Sequence, residues 1–425
     1  MSGVGLWPHG LVVGLLLATT ALFTGLSLVN VRYGTRQIRA RSDWLAETLD
    51  VEDPEEVIDY ERTTTGLSLL ESWTLLGALL VALLTGALGT LAEILAGTGL
   101  PMALQAIGFI GVIMVGYRLL DAPFDLFSTF VVDELFGFNE TSPGLWLRDF
   151  LLQTAIAAVL VGAIFGVLSA LVARLPTAYW ATGGWALVTG VGLLMQVIYP
   201  RVIAPLFNDF EPIEDGDLRA GIEDLFDRVG FETEGIYRMD ASRRSSRLNA
   251  YFVGFGRAKR VVLFDTLLDR LDREAVLSVL AHELAHWTRG HIWKRLGASA
   301  LQTGVAFAVL GVLVGGSTIA SPFGFPAGSV YGELFVAALV VYPLLEVSAP
   351  LVNRVSLAHE READRFAVEA MDDAAPMVRA LGTLARENLA NPFPHPWYAA
   401  FTHTHPPIPE RIREIERYDA TVSEA

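Results

Sequence analysis

Seven apolar stretches leave this chain few folds to choose from. They run roughly over 10–31, 73–91, 104–120, 150–171, 179–198, 296–314 and 331–349. Each is long enough, or nearly so, to cross a hydrocarbon layer of about 30 Å, where only structures that satisfy their own backbone hydrogen bonds survive. A hydrophobic share of 52% and a positive mean hydropathy of +0.43 agree. The chain is therefore read as an α-helical integral membrane protein with seven transmembrane helices, embedded in a lipid bilayer. The first stretch is read as a retained helix rather than a signal peptide. It is long, lacks a basic leader and shows no small-residue cleavage site before Arg32.

Orientation follows from the arginines. Arg32, Arg36, Arg39 and Arg41 follow the first span, Arg148 lies in the third connection, and most other basic residues fall between Arg201 and Arg295 or after Arg354. The N-terminus and the connections after the second and sixth spans carry no Lys or Arg, and the connection after the fourth carries only Arg174. This predicts a multi-pass cell-membrane protein with its N-terminus outside and its C-terminus and the 207–295 segment in the cytoplasm. Residues 1–206 hold spans one to five, 207–295 the main cytoplasmic domain, 296–355 spans six and seven, and 356–425 the rest of that domain. Within 207–295, Leu218–Val229 has helical spacing, and Asn249–Val253 and Arg260–Phe264 read as two short strands of a small sheet.

The net charge of -16 argues against nucleic-acid binding, which wants a basic patch. With Lys259 and Lys294 the only lysines, the acidic surface fits a high-salt habitat. Of the ionisable residues in or beside the spans, Glu71, Glu93, Arg118, Asp121, Asp125, Glu333 and Glu346, most are expected at helix ends. Arg118 and Glu346 are the candidates for an internal aqueous chamber.

The chemistry sits in His282-Glu283-Leu284-Ala285-His286, within an unbroken helical run from Val276 to Trp287 that has Asp272 and Glu274 near its start. Residues four apart share a helical face, so both imidazoles can grip one metal ion while Glu283 takes a proton from water. The chain has no cysteine, so the ligands must be His, Asp or Glu. A site that keeps one position open needs a third ligand. His291, five residues beyond His286, falls off that face and is expected to cap or pack at the helix end. The better candidate is the stretch from Asn353 to Asp364, where Glu360 and Asp364 are four apart. Glu360 can bind the metal. Asp364 can orient a ligand His or act on the reacting group.

At this point the chain resembles the Ste24 type of CAAX prenyl protease in the M48 metallopeptidase family. The blocks that carry the resemblance are Ala122–Asn139, Ile198–Asn208, Asn249–Gly256, Val262–Leu268, His282–His286, Glu360-x-x-Ala363-Asp364 and His405-Pro-Pro-Ile-Pro-Glu-Arg411-Ile412, in family order and spacing. The resemblance implies seven helices enclosing a water-filled chamber, with a zincin-like site at its cytoplasmic end. It implies one zinc per chain on His282, His286 and Glu360, Glu283 as general base and Asp364 as a second catalytic acid. It also implies that the Asn249–Ala250 edge holds an extended peptide, and that His405 and Arg411 contact the substrate or the oxyanion. The pattern departs at Leu357, where Arg is usual, and at Arg361, where an aromatic is usual. The implied substrate is a peptide or protein, in this family a prenylated C-terminus. The alternative is a broad quality-control metalloprotease of the four-span HtpX kind. A site-2 type protease fits less well, because Arg273, Arg289 and Lys294 flank the motif. A transporter with a vestigial site fits poorly with four intact residues. Nothing in the residues points to an oligomer, and a monomer is expected.

Overall fold

The computed structural model describes residues 7–253, 259–316 and 319–423. Gly254–Gly256 of the Asn249 block lie outside the described residues. Seven helices are long and apolar enough to cross a membrane: Pro8–Ala40, Pro54–Leu84, Met102–Asp133, Pro143–Arg174, Thr177–Leu206, His291–Gly315 and Val330–Met371. Most extend beyond the apolar runs that announced them, because hydropathy marks where a helix meets lipid and not where it starts. The second shows this best. Asp53 caps it by accepting from Glu55 N at 3.0 Å, and Pro54 presets its first turn, so the helix begins before Trp73. It ends at Leu84, and Gly86 turns the chain with a φ of +75° into a separate short helix, Ala87–Gly97. The expected span 73–91 therefore straddles a break.

The spanning helices pack closely through small residues, as expected where no water drives apolar surfaces together. Gly166 lies against Ile107 of the third spanning helix, and Gly184 lies against Phe307 of the sixth. Arg118 lines a cavity of about 290 Å³ with Glu71, Asp121 and Asp125, so the charges in the second and third spans share one polar pocket. Glu346 is not among that pocket's lining residues. Glu333 sits at a helix start and accepts from Ile319 N and Ala320 N.

The soluble part contains a mixed four-stranded sheet: β1 (Phe210–Pro212), β2 (Gly235–Met239), β3 (Ala250–Val253) and β4 (Arg260–Phe264). The strand order is β1-β2-β4-β3; β2 and β4 are parallel and the outer pairs antiparallel. The two anticipated strands are β3 and β4. Three-residue β1 and five-residue β2 are further strands not anticipated. One face of the sheet buries Val261 and Leu263 against Ile222 and Leu225 of the Asp217–Val229 helix and against Leu277, Leu280 and Leu284 of the Arg273–Thr288 helix.

The Arg273–Thr288 helix ends at Gly290, whose φ of +68° turns the chain directly into the sixth spanning helix. The seventh spanning helix runs without interruption through Pro343, Pro350 and position 355 to Met371, so one 42-residue helix joins the membrane layer to the carboxylates. Helices Ala375–Glu387, Pro396–Thr402 and Ile408–Ser423 complete the chain. Met377, Leu381, Ile412 and Ile415 bury themselves against Ile38, Leu45 and Ile58 from the N-terminal part.

A matched pair of substitutions tests the turn at Gly290. A side chain there must adopt the left-handed region, so Gly290→Ala is expected to cost about 1–2 kcal/mol. Gly297, mid-helix with open space around it, is expected to be neutral or stabilised by Ala, by up to about 1 kcal/mol. Thermal unfolding of the detergent-solubilised protein measures both, and equal shifts would contradict the assigned role of the turn.

Candidate metal centre

The Arg273–Thr288 helix starts where Asp272 accepts from Ala275 N at 2.8 Å. From Ala275 to His286 nearly every side chain is buried, between the sheet on one side and the long seventh helix on the other. Burial of this kind fixes rotamers, which a metal site needs.

On the face toward the seventh helix, His282 Nε2 lies 3.2 Å from Glu360 Oε2, and His286 Nε2 lies 3.4 Å from Glu360 Oε1. Both imidazoles thus address the two oxygens of one carboxylate that is only 2% exposed. His282 Nδ1 donates to Asp364 Oδ1 at 2.9 Å, so in the neutral ring it is Nε2, the nitrogen toward Glu360, that carries the lone pair. Asp364 is held in turn by both arms of Arg411, Nη2 to Oδ1 at 2.6 Å and Nε to Oδ2 at 2.9 Å. A carboxylate on a ligand His, itself fixed by a guanidinium, is the usual outer support of a histidine metal site.

His405 lies on the open side, more than half exposed, with Nδ1 2.5 Å from Glu360 Oε2. Asn353 anchors the preceding segment by donating to the carbonyls of Ala400 and Phe401 at 3.1 and 3.0 Å. Among the described residues, His282, Glu360 and His405 bring ligand atoms within 4.8 Å of one another, close enough to share one ion. His286 belongs to the same constellation through Glu360 Oε1. Both donor sets consist of nitrogen and carboxylate oxygen only, which suits zinc.

The surroundings act on protonation in opposite ways. Burial disfavours the charged form of His282, but its hydrogen bonds to Asp364 and Glu360 outweigh this and raise its pKa to about 9. His286 is pushed down to about 3, first by burial and then by the charge of His282. Burial raises the carboxyl of Glu283 above the ordinary glutamate range, partly offset by His282. A raised carboxyl beside a metal site is the property a general base needs near neutral pH.

The sequence places the same residues in known company. A family model described as Peptidase family M48 matches residues 212–419, and one described as CAAX prenyl protease N-terminal, five membrane helices, matches residues 35–209. The chain belongs to peptidase family M48. It is 35% identical over 317 residues to the CAAX prenyl protease 1 homolog of Arabidopsis thaliana, covering 74% of each chain. It is 32% identical over 330 residues to CAAX prenyl protease 1 of Saccharomyces cerevisiae, covering 73% of this chain and 72% of that one. Its fold is similar to the crystal structure of S. mikatae Ste24p, with a TM-score of 0.84 and 26% identity over 96% of this chain and 98% of that one. This M48 member is a multi-pass membrane metallopeptidase of the Ste24 type. The match to a five-helix membrane module does not favour the four-span quality-control kind.

The structure thus brings together His282, His286, Glu360, Asp364, Arg411 and His405. Glu283, on the same helix turn, is partly exposed. Asn249 and Ala250 stand apart from this cluster at the sheet edge. Ala250 begins β3, which among the described residues pairs only with β4, and Asn249 lines a cavity of about 750 Å³ with Asn388 and His403. Arg411, expected to face substrate, is buried with its fork spent on Asp364. Arg361, one of the two departures from the expected pattern, reaches Glu410 at 2.6 Å and Glu414 at 3.3 Å and so ties the seventh spanning helix to the last helix. His291, expected to cap or pack at the helix end, packs there behind His286. Sequence reading did not single out Glu362, which meets His291 from the seventh spanning helix.

Removing Arg411 leaves the Asp364 carboxylate buried without its fork. Arg411→Met is expected to cost about 3–5 kcal/mol in thermal unfolding, far more than an exposed Arg such as Arg417→Met. Comparable losses for the two variants would contradict the buried-pair account.

Proposed function

We propose that this peptidase is a zinc metalloendopeptidase that cleaves peptides near prenylated, CAAX-type C-termini. The observation that carries the reading is the convergence of His282 Nε2 and His286 Nε2 on the two oxygens of Glu360, with Glu283 one residue from the first. In this reading His282, His286 and Glu360 hold one zinc ion per chain. Bound there, zinc supplies Lewis acidity to the scissile carbonyl and to the attacking water. Glu283 accepts a proton from that water as oxygen attacks the carbonyl carbon, and delivers it to the amine nitrogen as the C–N bond breaks.

Asp364 orients His282 through Nδ1, and Arg411 holds Asp364, so both act through a ligand. His405 stands at the open side of Glu360, where it can donate to a substrate carbonyl or to the developing oxyanion. The free edge of β3 at Asn249–Ala250 binds the substrate as an added strand, and the adjoining cavity takes its side chains. The domain division at 206, 295 and 355 marks where apolar spans give way to polar segments, the sixth and seventh helices running across the last two boundaries, and the arginine distribution supports a zinc site on the cytoplasmic side. The protein works as a monomer.

Purified full-length protein, with zinc and in high salt, is given a farnesylated CAAX peptide and its unprenylated twin. Cleavage mainly of the farnesylated peptide is expected. Glu283→Gln is expected to keep its zinc and lose at least about 100-fold in rate. Equal cleavage of both peptides would overturn the prenyl preference and leave the peptidase. Normal cleavage by Glu283→Gln would remove Glu283 as the base.

A further inference from the structure

Behind His286 lies a buried cluster that the hydrolytic mechanism does not use. His291 is fully buried, and its Nδ1 is 3.1 Å from His286 Nδ1. Its other nitrogen, Nε2, is 3.0 Å from Glu362 Oε2. The ring of His359 stacks on it with centroids 4.1 Å apart and planes 9° from parallel. These contacts come from three places: the catalytic helix, the first residue of the sixth spanning helix, and the seventh spanning helix beside Glu360.

The proton positions follow from hydrogen-bond counting. A carboxylate only accepts, so the proton of a neutral His291 sits on Nε2, facing Glu362. That leaves His291 Nδ1 bare. Two ring nitrogens 3.1 Å apart share one proton, so His286 must donate from Nδ1. His286 Nε2 is then the bare nitrogen, and it is the atom aimed at Glu360 Oε1. The opposite arrangement, a proton on His286 Nε2, would block that nitrogen as a ligand. Arg289, whose Nε is 3.7 Å from Glu362 Oε1, favours the ionised carboxylate at the head of this chain. The stacked His359 ring keeps the His291 plane from turning.

We propose that Glu362 and His291 form a relay that sets the tautomer and ring orientation of His286, making His291 a positioning residue for the metal. The inference rests on the reading of His286 as a zinc ligand. It gives His286 a support of its own, separate from the Asp364–Arg411 support of His282. It also means that the sixth spanning helix, through its first residue, helps hold the metal site.

The test is the rate at which the zinc-loaded, full-length, solubilised protein releases zinc to a coloured chelator. His291→Leu removes the acceptor and is expected to speed release about 10–100-fold. His291→Asn places an amide oxygen near the old Nδ1 and is expected to restore most of the loss. Glu362→Gln, at a half-exposed position, lets the amide donate as well as accept; release is expected to quicken about tenfold. The unfolding temperatures of the metal-free Leu and Asn variants are expected to match, since the difference between them is an acceptor and not packing. Wild-type release in His291→Leu or in Glu362→Gln, or equally fast release in the Leu and Asn variants, would overturn the relay. His286→Ala separates the two levels of the argument. If it holds zinc like the wild type, the ligand assignment fails and the relay with it; if it loses zinc while His291→Leu does not, the relay alone is wrong.

Discussion

A carboxylate as deeply buried as Glu360 persists only if its charge is met, and most of the architecture serves that end. Its direct partners come from two other segments. His282 and His286 reach it from the catalytic helix, and His405 from the segment before the last helix. Asp364, one turn further along its own helix, binds the back of His282 and is itself neutralised by Arg411. No segment can shift far without leaving a buried charge unpaired. The site is therefore stiff because it is charged, and the hydrophobic core around Leu280 and Leu284 sets the helix that carries it.

The membrane layer takes part in this arrangement. The helix bearing Glu360 and Asp364 is the seventh spanning helix itself, continued past the apolar segment by several turns. At about 1.5 Å per residue it reaches roughly 60 Å, about twice a hydrocarbon layer. The catalytic helix is tied to the sixth spanning helix by the single turn at Gly290. The peptidase part is thus not a soluble module attached to a bundle: Glu360 and Asp364 lie on a spanning helix, and the helix that carries His282 and His286 turns directly into another.

Much of this was legible in the residues, and the reasons are physical. The seven spans declare themselves because lipid tolerates few alternatives to an apolar helix. The two-histidine motif reads clearly because four residues make one helical turn and because cysteine is absent. Glu360 could be singled out because Asp364 shares its face. What stayed hidden depends on contacts between distant segments. The break at Gly86 lies inside a continuous apolar run. β1 is too short to show periodicity, and β2, with Gly235 and Arg238 among its five residues, lacks the apolar run that marks β4. Arg411 lies over 40 residues beyond Asp364, and nothing local reveals that its fork closes on that carboxylate. His291 fails the helical spacing test because the chain turns before it, and that turn is what brings it behind His286.

His405 is the residue on which the account is most exposed, because it lies closest of all to the Glu360 carboxylate. If zinc sits on His282, His286 and Glu360, His405 serves catalysis and not metal retention. Zinc content per chain, measured by atomic emission on purified Glu360→Ala and His405→Ala side by side, decides this most directly. The account predicts near-complete loss in the first and one zinc per chain in the second. Full zinc in Glu360→Ala, or its loss in His405→Ala, would contradict it.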